Sequence, residues 1–175
     1  MRHFAAACLF VAAFAPLAAL AGELDGYVQP EDGARSCWSR SYDAAHLAEH
    51  PDQQVTEISF AVGYMAATIE FAEQYSFYLE ARRRDGTEGY ASGPCHAQDG
   101  KMWCGVECDG GGVLLERRAD GKVLVDLASH GYIRMSGGCG GGGEGDGFSL
   151  EAGMDDHEFL LHPETPKTCK SAILE

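Results

Sequence analysis

Cationic side chains are scarce in this sequence. Its 175 residues hold 13 Lys and Arg against 27 Asp and Glu, a formal charge of −14 at pH 7. A surface this acidic repels phosphate backbones and anionic lipid, which argues against nucleic acid and membrane surfaces as partners. The same charge keeps a domain soluble without any binding role. A second long apolar run is also missing. Residues 4–20 form one, and nothing after them could span a hydrocarbon core of about 30 Å, so the mature chain carries no membrane span. There is no G-x-S-x-G elbow for a serine nucleophile.

The one apolar run has the anatomy of an export signal. Met1, Arg2 and His3 give a short basic start, residues 4–20 are alanine-rich, and Ala19 and Ala21 supply the small residues that signal peptidase reads. Pro16 interrupts the run, against a membrane anchor, and Cys8 lies too early to accept a lipid after cleavage. The expectation is a signal peptide over 1–21, a flexible lead-in over 22–35 and a single β-domain over 36–175. Losing Arg2 and no acid would move the formal charge from −14 to −15. A periplasmic or secreted location follows.

Losing Cys8 would leave six of the seven cysteines: Cys37, Cys95, Cys104, Cys108, Cys139 and Cys169. An even number in an oxidising compartment implies disulfides, with 15 possible connectivities. Cys37 and Cys169 bracket the domain, and joining them would restrict the unfolded chain strongly. Cys104 and Cys108 are placed on one strand face, unable to meet, so each is expected to reach Cys95 or Cys139 on a neighbouring strand. Zinc ligation needs reduced thiolates, and a thiol nucleophile needs an unpaired cysteine; both are disfavoured.

Most of the remaining chain alternates with the period of a half-buried strand. In 55–65, Ile58, Phe60, Val62 and Tyr64 share a face opposite Glu57, Ser59 and Ala61. Residues 66–75 fit helix and strand equally. From Ser76, Phe77, Leu79 and Ala81 alternate with Tyr78, Glu80 and Arg82 up to a turn at Asp85-Gly86. A three-residue loop there sets Leu79 against Ala91 and Arg82 against Glu88, matching apolar with apolar and opposite charges. A three-residue loop at Ala119-Asp120-Gly121 likewise sets Leu115 against Val125. Residues 132–136, 148–150 and 158–162 are further strand candidates, and 137–147, with eight glycines, is a loop. The fold class predicted is mostly all-β: an antiparallel meander forming a small up-and-down barrel, with a two-sheet sandwich as the alternative.

One short helix precedes the strands. Asp43 is a good N-cap, 44–49 are helix formers, and Pro51 stops the run. The stretch Asp43-Ala44-Ala45-His46-Leu47-Ala48-Glu49-His50-Pro51, followed by Asp52-Gln53-Gln54-Val55-Thr56, resembles a group of small exported bacterial proteins of no assigned function. The likeness covers about fifteen residues, 42–56, and carries over no activity, ligand or catalytic residue.

His46 and His50, four apart, would share a helix face as zinc-binding pairs do, though no catalytic Glu or third ligand accompanies them. The Gly-Glu-Gly-Asp-Gly at 143–147 occurs once, where calcium-binding repeats stack many turns. Arg83 and Arg118 sit in basic spots before two turns and would form an anion or protein contact if those hairpins lie side by side. No motif calls for a cofactor. The sequence therefore points to a non-catalytic binding module for a protein, such as a hydrolase, or for a small ligand. A metal-binding protein or metal-dependent enzyme using His46 and His50, and a structural envelope component, are the alternatives.

Overall fold

The computed structural model describes residues 22–135, 148–165 and 169. The expected signal at 1–21 and the glycine-rich loop at 137–147, with Cys139, lie outside them. Ten strands and a helix follow in order: β1 (Arg35–Ser41), α1 (Ala44–Glu49), β2 (Val55–Met65), β3 (Gln74–Arg83), β4 (Glu88–Gln98), β5 (Lys101–Gly105), β6 (Gly112–Arg117), β7 (Val123–Asp126), β8 (Tyr132–Met135), β9 (Phe148–Glu151) and β10 (Glu158–Glu164).

Strands β1 to β7 pair each with the next, and β10 fits between β7 and β1, which closes an eight-stranded antiparallel barrel. The barrel is the up-and-down form, so the sandwich alternative falls. Both hairpin registers follow from turn length as expected. Leu79 pairs with Ala91 and Arg82 with Glu88, with Gly86 at φ 83°. Leu115 pairs with Val125 across a turn where Asp120 and Gly121 take φ 59° and 71°. The two positive values need residues that tolerate the left-handed region, and Asp-Gly supplies them.

Eight strands leave an interior just wide enough for side chains. Here Phe60, Phe77, Leu79, Met102, Leu115, Phe159 and Leu161 fill it, each almost wholly buried. Phe60 and Phe77 stack with ring centroids 5.4 Å apart. The outward face carries Glu57, Arg82, Glu88, Lys101 and Glu116, which form ion pairs with one another. A membrane barrel shows the opposite arrangement, an apolar band outside.

Because neighbouring strands are antiparallel, their connections alternate between the barrel's two ends. One end carries residues 22–34 and the β2–β3, β4–β5 and β6–β7 turns; the other carries α1, the β3–β4 turn, the 106–111 loop and the β8–β9 hairpin. Residues 22–34, within the expected lead-in 22–35, pack on the barrel. Leu24, Tyr27 and Val28 are buried against the barrel, and the Tyr27 hydroxyl donates to the Leu115 carbonyl at 2.7 Å. At the same end the Trp38 Nε1–H donates to Gly121 O at 2.8 Å. The opposite end is capped by β8 and β9, which form a two-stranded sheet bridged to Gly111 through Ile133 and bury Ile133, Met135 and Leu150. The cap sits on Gly89, where an added Cβ would lie 2.8 Å from the Met135 carbonyl oxygen.

Residues 66–73, ambiguous between helix and strand, are neither; they form a loop, and β3 starts at Gln74. Cys108 also departs from expectation. Strand β5 ends at Gly105, and Cys108 lies in a turn at φ 57°, so it shares no strand face with Cys104.

A buried carboxylate ties α1 and β2 to the approach to β10. Asp156, 4 % exposed, accepts from Gln54 N–H at 2.6 Å and Val55 N–H at 3.3 Å. Burial raises its pKa above the ordinary carboxylate value, against the pull of the two amides. Asp156→Ala leaves both amides unpaired, and a loss of about 1–3 kcal/mol is expected in urea unfolding at pH 7. A raised folded pKa adds stability that is complete below the unfolded pKa and is lost as pH rises through the folded one. The penalty of Asp156→Ala is therefore expected to be larger at pH 4 than at pH 7.

Candidate functional site

A packed interior leaves no lumen for a ligand, so any site among the described residues is on the outside. The two basic spots do not combine. Three strands, β4 to β6, separate the β3–β4 turn from the β6–β7 turn, which puts Arg83 and Arg118 at opposite ends of the barrel. Arg118 pairs with Glu116, and Arg83 lies 5.3 Å from the Phe148 ring centroid. Their neighbour Arg84 is structural: its Nη2 donates to the carbonyls of Leu47 at 2.7 Å and His50 at 2.8 Å, closing the end of α1.

The short helix forms as expected. Asp43 caps it by accepting from His46 N–H at 2.8 Å, and His50 is its C-cap. The His46 and His50 rings stack at 4.3 Å. His46 Nε2 is 3.0 Å from Gln53 Oε1, and Gln53 is buried and donates onward to Val55 O at 2.7 Å. His50 Nδ1 stands 3.8 Å from an Asp155 carboxylate oxygen. Among the described residues no group of three or more His, Cys, Asp or Glu is placed to hold a metal ion.

The covalent framework matches the expected pairings as far as the described residues reach. Cys37 and Cys169 are bonded across a separation of 132 residues, on the outer face of the barrel, where they cover Ala61. Cys95 and Cys104, directly opposite on β4 and β5, are bonded inside it. Cys108 is disulfide-bonded too; Cys139 lies outside the described residues.

No protein-family model, curated protein or solved structure matches this chain. Any functional reading of it therefore rests on its surface.

Two surface features stand out, and neither follows from the sequence pattern. The first is the β2–β3 loop. Ile69 is 106 % exposed and Phe71 62 %, large apolar side chains held in water. The loop holding them is hydrogen-bonded: Thr68 Oγ1 accepts from Glu70 N–H at 3.3 Å and Phe71 N–H at 3.1 Å, and Thr68 N–H donates to Phe71 O at 2.8 Å. Its base is fixed by Ala66 N–H donating to Asp32 and by the Tyr64 hydroxyl donating to Glu73 at 2.9 Å. That last bond raises the Tyr64 pKa, because the phenol must keep its proton to make it. Helix-like and strand-like spacing both predict burial for Ile69, so the ambiguity of 66–75 was the only available signal.

The second feature is an outer cleft of about 300 Å³ beside Trp103, lined also by His96, Glu107, Asp109 and His130. It adjoins a groove of about 820 Å³ running past Ser76 and Ser92.

Proposed function

We propose that this protein is a non-catalytic binding module, exported to the periplasm or the cell exterior, which engages a partner protein through the β2–β3 loop. One observation carries the reading: Ile69 and Phe71 are presented to solvent on a hydrogen-bonded turn, at one end of a disulfide-stapled barrel whose interior is full. An ordered apolar tip loses little entropy on docking, and exposed apolar surface of this kind is a feature of interaction sites. Glu70 lies between the two residues and Glu73 follows them, and Asp25 and Asp32 lie by the loop base. A fitting partner has an apolar pocket with a basic rim, as the substrate cleft of a hydrolase can have.

The test is cross-linking capture from the native envelope fraction with the mature protein, beside an Ile69→Asp/Phe71→Asp variant. Wild type is expected to retain a partner that the variant binds at least about tenfold more weakly, with unchanged thermal unfolding. Raised salt is expected to weaken the complex further. Equal retention by the variant, or no partner for wild type, overturns the reading.

A further inference from the structure

The cleft beside Trp103 is built around its indole ring. Trp103 points outward from β5, opposite His96 of β4 and Leu114 of β6. It is half-buried and lies against Gly105 and Gly112. A Cβ on Gly112 would stand 2.3 Å from the indole Cη2 and 2.5 Å from the Cys104 carbonyl oxygen. Only glycine leaves room for the ring there. The His130 ring lies 4.9 Å from Trp103, and the His96 ring 6.4 Å away, edge-on. Tyr132 supports the far side of His130 at 5.9 Å, its hydroxyl donating to Asp109 O at 2.7 Å.

The polar groups around the indole are of both kinds. Imidazoles of His96 and His130 can donate and accept; carboxylates of Glu107 and Asp109 accept. Among the described residues no Lys or Arg lines either this cleft or the adjoining groove, with which it shares Pro94, His96 and Glu107. The groove continues past the hydroxyls of Ser92 and Ser76 to Gln74. Along this track His96 and Ser92 are four residues apart on β4, about 13 Å, enough for more than one unit of a linear ligand.

Each property narrows the ligand. Carboxylates without a cation disfavour an anionic polymer. A flat apolar ring beside mixed donors and acceptors suits a pyranose, whose C–H face packs on the indole while its hydroxyls donate and accept at the rim. We propose that this track binds a neutral saccharide chain, with one ring on Trp103 and its neighbours along His96 and Ser92. The proposal is independent of the β2–β3 loop.

Tryptophan emission tests it directly. The chain has two tryptophans, and Trp38 is buried, so ligand-induced change reports Trp103. The probes are the linear tetramer of N-acetylglucosamine and cellotetraose, with tetragalacturonate as anionic and arginine amide as cationic comparison. Saturable change is expected with at least one neutral tetramer and none with tetragalacturonate. By calorimetry Trp103→Ala is expected to weaken binding at least about tenfold. His96→Ala and Glu107→Ala, at exposed positions that leave Trp103 and the fold in place, are expected to weaken it several-fold by either readout. No saturable response to either neutral tetramer at millimolar concentration overturns the proposal. So does a response confined to arginine amide, or binding unaltered in all three variants.

Discussion

Cys37→Ala/Cys169→Ala is expected to lose about 5 kcal/mol of stability and to melt far below the parent protein. The two residues are 132 apart in sequence, and closing so long a loop removes more disorder from the unfolded chain than any short bridge does. Cys95→Ala/Cys104→Ala opens a separation of only 9 residues, for which the same chain-entropy account gives about 2.6 kcal/mol. Against a typical total of about 5–15 kcal/mol, the first loss leaves a marginal fold and the second a competent one. The native geometry adds to the contrast. The long bridge fastens Cys169 against β1 and covers Ala61, so its loss also uncovers apolar surface on the outside of the barrel. Urea unfolding of both double variants without reductant measures the difference. A larger loss in the short-loop variant would refute the ranking. Reductant is expected to bring the parent protein below the level of either variant.

Much of this architecture was legible because a barrel strand has one face inside and one outside. Alternation at Ile58, Phe60, Val62 and Tyr64 states directly which residues point inward, and turn length then fixes the neighbour's register. What escaped the sequence is what local periodicity does not encode. Tyr132 to Met135 alternates like a barrel strand, yet β8 joins β9 outside the barrel, because a cap over the barrel's end also buries one face. Leu24, Tyr27 and Val28 lie among polar residues with no period, and their burial depends on the barrel end they cover. The even spacing of Cys104 and Cys108 implied a shared face only while the strand continued, and it stops at Gly105. The separation of Arg83 from Arg118 was available in principle: an odd number of strands between two turns of a meander places them at opposite ends.

The candidate sites were harder for a physical reason. Strand patterns reveal the inward face, while a binding surface is written in departures from it. Ile69 and Phe71 are apolar where water is, and Gly105 and Gly112 are small where a strand favours bulk. Read singly, each is a weak feature. Gly112 acquires meaning only when the indole of Trp103, nine residues earlier in sequence, is found across the strand pair.

Phe77→Ala is expected to cost about 3–5 kcal/mol, and the reason bears on whether the barrel has room inside. Phe77 is fully buried, stacked on Phe60, and faces Gly93 on the paired strand. Its ring would be 3.4 Å from a Cβ on Gly93, so the two positions divide one volume between a large and an absent side chain. When the ring is removed, little can move in. Gly93 cannot grow to fill the gap, because its Cβ would stand 2.1 Å from the Gly105 carbonyl oxygen. The closed ladder of eight strands resists collapse, since narrowing it would break main-chain hydrogen bonds all round. A cavity therefore persists, and its cost sits at the upper end for such substitutions. In a barrel made to enclose a ligand the same change would enlarge an existing space and cost much less. Phe77→Leu, which retains most of the volume, is expected to lose less than half as much as Phe77→Ala. Urea unfolding of both variants separates the cases: a loss below about 1 kcal/mol for Phe77→Ala would mean the interior already holds free volume, and the assignment of function to the outer surface would fail with it.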